Sequence, residues 1–282
     1  MLLNLFDFSA LVRQNYYFLY HFARKICYIQ EICIIFAVQT WNYSIIMALI
    51  IPKKYKRKLL PETTEVAIKD IKVAFQEKLA TALNLRRVTA PLFVLSGTGL
   101  NDDLNGVEKA VTFNIQCMNN SPAEVVHSLA KWKRTKLGFY DIAPGYGLYT
   151  DMNAIRRDEE MDNLHSVYTD QWDWEKIILQ DERNVETLKH VVRKVYAALR
   201  ETEHYMADKY DYIEEVLPEE IAFVTTQELE NMYPNCTPKE REYYIAKAKG
   251  AVCIMQIGDT LECGEPHDGR APDYDDWQLN CD

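Results

Sequence analysis

Four short stretches hold side chains able to do chemistry together. "HSLAKWKR" (127–134) packs His127, Lys131, Lys133 and Arg134 closely. On a helix, His127, Lys131 and Arg134 would share one face, and Lys133 would lie off it, free for a separate contact. A solvated basic face is the plain alternative, although it does not require Ser128 or Trp132. In "YTDQWDWE" (168–175), an extended strand would point Gln171, Asp173 and Glu175 one way and Trp172 and Trp174 the other. An amide and two carboxylates in a row are costly to bury unless they meet something cationic or donor-rich, such as an α-ammonium group. A solvent-facing strand would carry the same residues. "AIRRDEE" (154–160) sets paired Arg beside acids. Arg is the natural fork for phosphate or carboxylate oxygens, and equally a partner in a surface ion-pair loop. "GTGLNDDLNG" (97–106) is either a plain turn or a ligand loop in which Asp102 and Asp103 accept bonds from an amine or ammonia.

The elements that must position these residues read as an α+β arrangement. "ETTEVAIKDIKVAFQEKLATALNL" (62–85) has helical spacing, with Thr63 or Thr64 as N-cap. "APLFVLSG" and "KAVTFNIQC" (109–117) read as strands, and "AEVVHSLAKWKRTKLG" (123–138) as a helix stopped by Gly138. Strands are expected within 145–160 and 164–178. A long helix over 184–210 would bury Leu188, Val191, Val192, Val195, Tyr196 and Leu199. Then follow a strand in "IAFVTT", a helix in "TPKEREYYIAKAKG" and a hairpin in "GAVCIMQIGDTLECG". Neither GxGxxG nor a P-loop is present.

The chain has 282 residues and a formal net charge of −10, which argues against a general nucleic-acid binder. Its seven Cys are scattered without a CxxC, as in an intracellular protein with reduced thiols. Cys253, Cys263 and His267 fit no common zinc spacing. The segment 1–58 does not match the rest. "ICIIFAVQTWNYSIIMALII" (32–51) is long enough to span a bilayer and is followed by the basic run "KKYKRK" (53–58). Gln39, Thr40, Asn42 and Ser44 weaken that span, so the favoured expectation is a start at Met47 with an extension upstream of it. The catalytic domain is then expected over 59–282.

The order of the motifs adds more than any one of them. A Ser/Lys segment, a strand ending in Arg and acids, and a Q-x-D-x-E strand resemble the core of class II aminoacyl-tRNA synthetases. The strings "VVHSLAKWKR", "GLYTDMNAIR", "LHSVYTDQWDWE", "TQEL" (226–229) and "RAPDYDDW" (270–277) are similar to ammonia-dependent asparagine synthetase, the aspartate–ammonia ligase built on that core. The likeness runs from about Lys69 to Trp277.

The resemblance implies a class II synthetase-like antiparallel sheet flanked by helices. It also implies an ATP-driven amidation in which L-aspartate, ATP and ammonia yield L-asparagine, AMP and pyrophosphate through a β-aspartyl-adenylate. By the same likeness Lys133 neutralises the side-chain carboxylate of aspartate, and Ser128, Gln171 and Asp173 fix the amino end. Arg156 would meet the α-phosphate, Glu159 the adenine or the loop, Asp102 the attacking ammonia, and Asp275 would complete the pocket. A cytoplasmic homodimer using ATP and Mg²⁺ is implied, with neither nucleic acid nor membrane as partner. In the family, metal-binding acids and a second ATP-binding Arg follow the RAPDYDDW motif. Their absence before Asp282 leads to the expectation of a C-terminally truncated sheet, no identified metal ligands, and weak or absent activity. An inactive fragment that keeps aspartate or AMP binding, and an aspartyl-tRNA synthetase-like protein, are the alternatives.

Overall fold

The computed structural model describes residues 2–3, 56–101, 108–159, 161, 165–258 and 260–267. The apolar stretch 32–51, Asp102 and the 270–277 segment with Asp275 lie outside the described residues. Among the described residues, no helix is long and apolar enough to cross a membrane.

The elements that hold the candidate site are a β-ribbon, two helices behind it and one helix in front. Strands β6 (Gly147–Ile155) and β7 (Tyr168–Ile177) pair antiparallel along their whole length, from Gly147 opposite Lys176 to Ile155 opposite Tyr168. Strand β2 (Leu85–Arg87) joins β6 in parallel, and β1 (Leu2–Leu3) joins β7 antiparallel, giving the order β1–β7–β6–β2. A second sheet is antiparallel, with β5 (Ser121–Val125) between β3 (Phe93–Leu95) and β4 (Thr112–Ile115). The antiparallel sheets flanked by helices are those expected, with parallel pairs at β2–β6 and at β8 (Ala222–Thr225) with β9 (Val252–Met255).

Helix α1 (Pro61–Leu83) buries Ala67, Ile71, Phe75, Leu79 and Leu83 at successive turns. Val66 and Val73, also near that spacing, are exposed. Its N-cap is Leu60 rather than either Thr, and the hydroxyls of Thr63 and Thr64 donate back to the Leu60 carbonyl instead. Helix α3 (Val185–Lys209) buries the six residues expected of it, and its N-cap Asn184 accepts from the Thr187 N–H. Together α1 and α3 cover one face of the β6–β7 ribbon, where Tyr149 and Trp174 join their core and Trp172 packs on Phe75 at 5.0 Å between ring centroids. Lys72 fastens α1 to the same face, 3.0 Å from both Asp151 and Asp170.

Two expected elements differ. The stretch 123–138 is not one helix: β5 ends at Val125 and helix α2 (Ala130–Phe139) begins only after a turn. Residues 121–125 have strand partners on both sides, that pairing outweighs the helical spacing, and α2 runs through Gly138 instead of stopping at it. The expected hairpin after Gly250 is β9 pairing in parallel with β8, and Val252, Cys253 and Ile254 are all buried, as a short apolar run in a covered parallel pair should be. Between β8 and β9 lie the helices α4 (Thr226–Met232) and α5 (Pro238–Lys249), each started by a Thr/Glu capping box.

Candidate active site

The other face of the β6–β7 ribbon is buried too, and it is polar at its centre. Side chains two apart on a strand share a face, and the register sets Thr150 opposite Asp173 and Met152 opposite Gln171. Leu148, Thr150, Met152, Ala154 and Arg156 on one strand therefore share a face with Gln171, Asp173 and Glu175 on the other, and all eight are buried. Helix α2 and the turn before it cover this face, and Val126 and Leu129 pack with Met152 and Ala154.

Charge within this layer is concentrated on Asp173. Lys133, at the end of the first turn of α2 and fully buried, brings Nζ to 2.6 Å from Asp173 Oδ2. The same oxygen accepts the Leu129 N–H at 2.9 Å and the Ser128 hydroxyl at 3.4 Å, so Asp173 also supplies the anion favoured at the start of α2. Close as it is, the Lys133 contact lies off the directions in which a hydrogen bond forms. The ammonium is therefore held to Asp173 by charge. Gln171 turns its Nε2 toward the His127 carbonyl at 3.5 Å and Met152 Sδ at 3.6 Å, leaving Oε1 buried without a hydrogen bond. His127 Nδ1 is in the same condition. A buried polar atom left this way costs free energy, and each one calls for a partner such as a ligand or an ordered water.

Glu175 extends the row inward. Its carboxylate is fully buried and meets Arg134 Nε at 3.4 Å. Burial pushes Glu175 up to about 8, against the opposing pull of the Arg134 and Lys133 cations. At neutral pH it is mostly protonated, which leaves Asp173 as the anion of the row that faces Lys133.

Of the sequence-predicted residues, Ser128, Lys133, Gln171 and Asp173 come together here. Arg156 and Glu159 sit farther along: Arg156 follows β6 four positions beyond Met152, about 13 Å at strand rise. Its N–H donates to the Val167 carbonyl at 2.7 Å, and the Glu159 N–H donates to the Arg156 carbonyl at 3.2 Å. Asp102 and Asp275 fall outside the described residues. The expectation that His127, Lys131 and Arg134 share a helical face fails, because His127 lies in the turn ahead of α2. Sequence reasoning left out Asn101 altogether. It is buried, takes the His127 N–H on Oδ1 at 2.8 Å, and donates from Nδ2 to the Val125 carbonyl at 3.4 Å. Pinned on both sides, the turn that presents Ser128 cannot drift from the end of β5. The one hint was Asn101's place inside the loop "GTGLNDDLNG". Of the three residues tried against a zinc pattern, Cys253 is buried, Cys263 is exposed and His267 pairs with Glu242 at 3.0 Å.

An α+β scaffold that keeps a cation, an anion and an unsatisfied amide oxygen in one buried layer has the features of a protein that takes up a small zwitterion. The comparisons agree with that class and narrow it: the chain belongs to the aspartate-ammonia ligase family, whose model matches residues 62–282. It is 61% identical over 235 residues to the aspartate–ammonia ligase of Ruminiclostridium cellulolyticum, covering 83% of this chain and 70% of that one. The enzymes of the same name from Clostridium tetani and Lactobacillus johnsonii are 58% and 55% identical, covering 83% and 84% of this chain and 69% and 70% of theirs. Among solved structures, an Entamoeba histolytica asparaginyl-tRNA synthetase in complex with asparaginyl-adenylate is similar at a TM-score of 0.47 and 12% identity, covering 69% of this chain and 44% of that one.

Proposed function

We propose that the chain makes L-asparagine from L-aspartate, ATP and ammonia, releasing AMP and pyrophosphate. A carboxylate is a poor electrophile, so the side-chain carboxyl first attacks the α-phosphorus of ATP and displaces pyrophosphate. Ammonia then adds to the acyl carbon of the mixed anhydride, loses a proton, and expels AMP. The observation that carries this reading is a buried set of groups able to meet a zwitterion: the Lys133 ammonium for the side-chain carboxylate, and the Gln171 Oε1 acceptor beside the Asp173 anion for the α-ammonium. Ser128 steadies the ammonium end. Arg156, farther along the same strand, faces the α-phosphate and offsets charge as pyrophosphate leaves, with Glu159 ordering the loop behind it. Asp102 orients the attacking ammonia and Asp275 closes the pocket.

Mg²⁺ is assigned as the companion of ATP. Among the described residues no group of three or more His, Cys, Asp or Glu is arranged to hold a metal, and no step is routed through one. The family reading further assigns a cytoplasmic homodimer, with residues 59–282 as the catalytic domain and 1–58 as an extension to it.

Whatever asparagine purified protein forms from aspartate, ATP, Mg²⁺ and ammonia, slow turnover included, should be matched by an equal amount of pyrophosphate. Lys133→Met should lower that rate by about 100-fold or more while circular dichroism stays unchanged. Formation of pyrophosphate that does not depend on aspartate would refute the assignment.

A further inference from the structure

We infer that the Lys133–Asp173 ion pair is a two-key gate, which admits ligands carrying both a side-chain carboxylate and an ammonium and helps to expel the product that has lost one of them. The inference rests on the aspartate reading above. The two side chains assigned to opposite ends of the substrate are, without it, 2.6 Å apart and buried together. Substrate cannot enter without separating them, and separating a buried pair is tolerable only if each charge finds a new partner. Aspartate supplies both: its side-chain carboxylate takes Lys133, and its ammonium takes Asp173.

A ligand with one of the two charges cannot make that exchange. Succinate has the carboxylates but no ammonium, so drawing Lys133 away leaves Asp173 a buried anion without its cation. Glu175 does not relieve the imbalance, because it is itself fully buried and held against Arg134. The Leu129 N–H and the Ser128 hydroxyl stay on Asp173 throughout and are dipoles, not counter-charges. Asparagine has the reverse defect. Amidation removes the side-chain charge, so Lys133 is left without an anion in the ligand while the product ammonium still occupies Asp173. Return of Lys133 to Asp173 restores the pair and displaces the ammonium. The chemical step thereby weakens the hold on its own product.

This arrangement predicts a sign that ordinary contact loss does not. Neutralising one member of the pair should tighten the ligand whose charge matches the surviving member. Asp173→Asn keeps an oxygen for Leu129 and removes the anion, so succinate should bind about 10-fold or more tighter than to the parent chain, while aspartate weakens on the order of 100-fold. Lys133→Met should do the converse, tightening L-asparagine about 10-fold while aspartate weakens similarly. Isothermal titration of the parent chain and both variants with aspartate, succinate and asparagine gives all nine values. Thermal melts check that each variant is folded, and if one is not, the other decides. Folded variants that bind their single-charge ligand no better than the parent, while the parent binds aspartate, overturn the gate alone. A parent chain that binds no aspartate overturns the reading beneath it as well.

Discussion

Glu175 has the most unusual chemistry of the buried residues, and it touches stability before function. Its carboxyl titrates near 8 in the folded protein, because burial disfavours the charge more than Arg134 and Lys133 favour it. The unfolded chain releases that proton near the ordinary Glu value of about 4.3. Between those limits the native state holds more protons than the unfolded state, so stability falls as pH rises, by up to about 1.4 kcal/mol per pH unit. Glu175→Gln removes the titration. Its denaturation midpoint relative to the parent should therefore climb steadily from pH 5 to pH 8, and a constant offset in urea melts would contradict the assignment. Much of this row was readable from spacing alone. The alternation of "QWDWE" separated Gln171, Asp173 and Glu175 from the tryptophans, and both sets are where alternation put them. What alternation could not say is that both faces are covered. That depends on Lys133 and Arg134, some forty positions earlier, and on helices α1 and α3, which close the other side. Lys133 read as the odd residue of a basic segment, and its isolation from that face is what sends it into the layer.

At the scale of elements, the close approach of three strands at Gly147 controls the row. A Cβ there would stand 2.3 Å from the Glu175 carbonyl oxygen, 2.8 Å from Leu85 Cδ2 and 2.9 Å from Lys176 Cα. Backbone crowding of that kind cannot be relieved by a rotamer change, so β7 or β2 must shift. Gly147→Ala should cost about 1–3 kcal/mol of stability and move Glu175 away from Arg134. A drop in melting temperature of roughly 2–4 °C for each kcal/mol, together with loss of aspartate binding, is the expected outcome. Unchanged melting would mean that β2, β6 and β7 are not packed as described. Long elements were the ones sequence could locate: α1 and α3 repeat their apolar positions over many turns, and no competing pattern fits them. The segment 123–138 lacked that redundancy. Its first residues have partners from β3 and β4 on either side, which local spacing does not register, and the result is a strand, a turn and a short helix. The misreading matters functionally, because Ser128 and His127 are presented from the turn, where backbone groups are available, and not from inside a helix. The hairpin expected after Gly250 failed for the same reason, since β9 takes its partner from residues some thirty positions back.

For the whole molecule, the site works as a clasp between parts of the chain that fold from different directions. Its front is the turn at 127–129 with α2, its floor is β7, and the floor is backed by the core that α1 and α3 share with Tyr149 and Trp174. Asn101 ties the loop after β3 to the same turn. In the proposed reading these parts hold the binding layer together, so a bound zwitterion should stabilise the chain as one unit. The overall charge of −10 opposes uptake of an anionic substrate at long range, but that field is screened within about 10 Å at 0.1 M salt, whereas contacts inside the layer are not. Binding linkage sets the size of the effect: at a hundred times its dissociation constant, a ligand that binds the folded state adds about 2.7 kcal/mol. For a protein of this length that is roughly 5–10 °C in melting temperature. Aspartate should produce that rise at both 0.05 M and 0.5 M salt. Succinate at equal concentration should leave the melt of the parent chain nearly unmoved, because it cannot satisfy Asp173 once Lys133 is drawn off. A rise of equal size for both ligands, or one for aspartate that vanishes in the higher salt, would place the binding on exposed Lys and Arg instead of the buried layer.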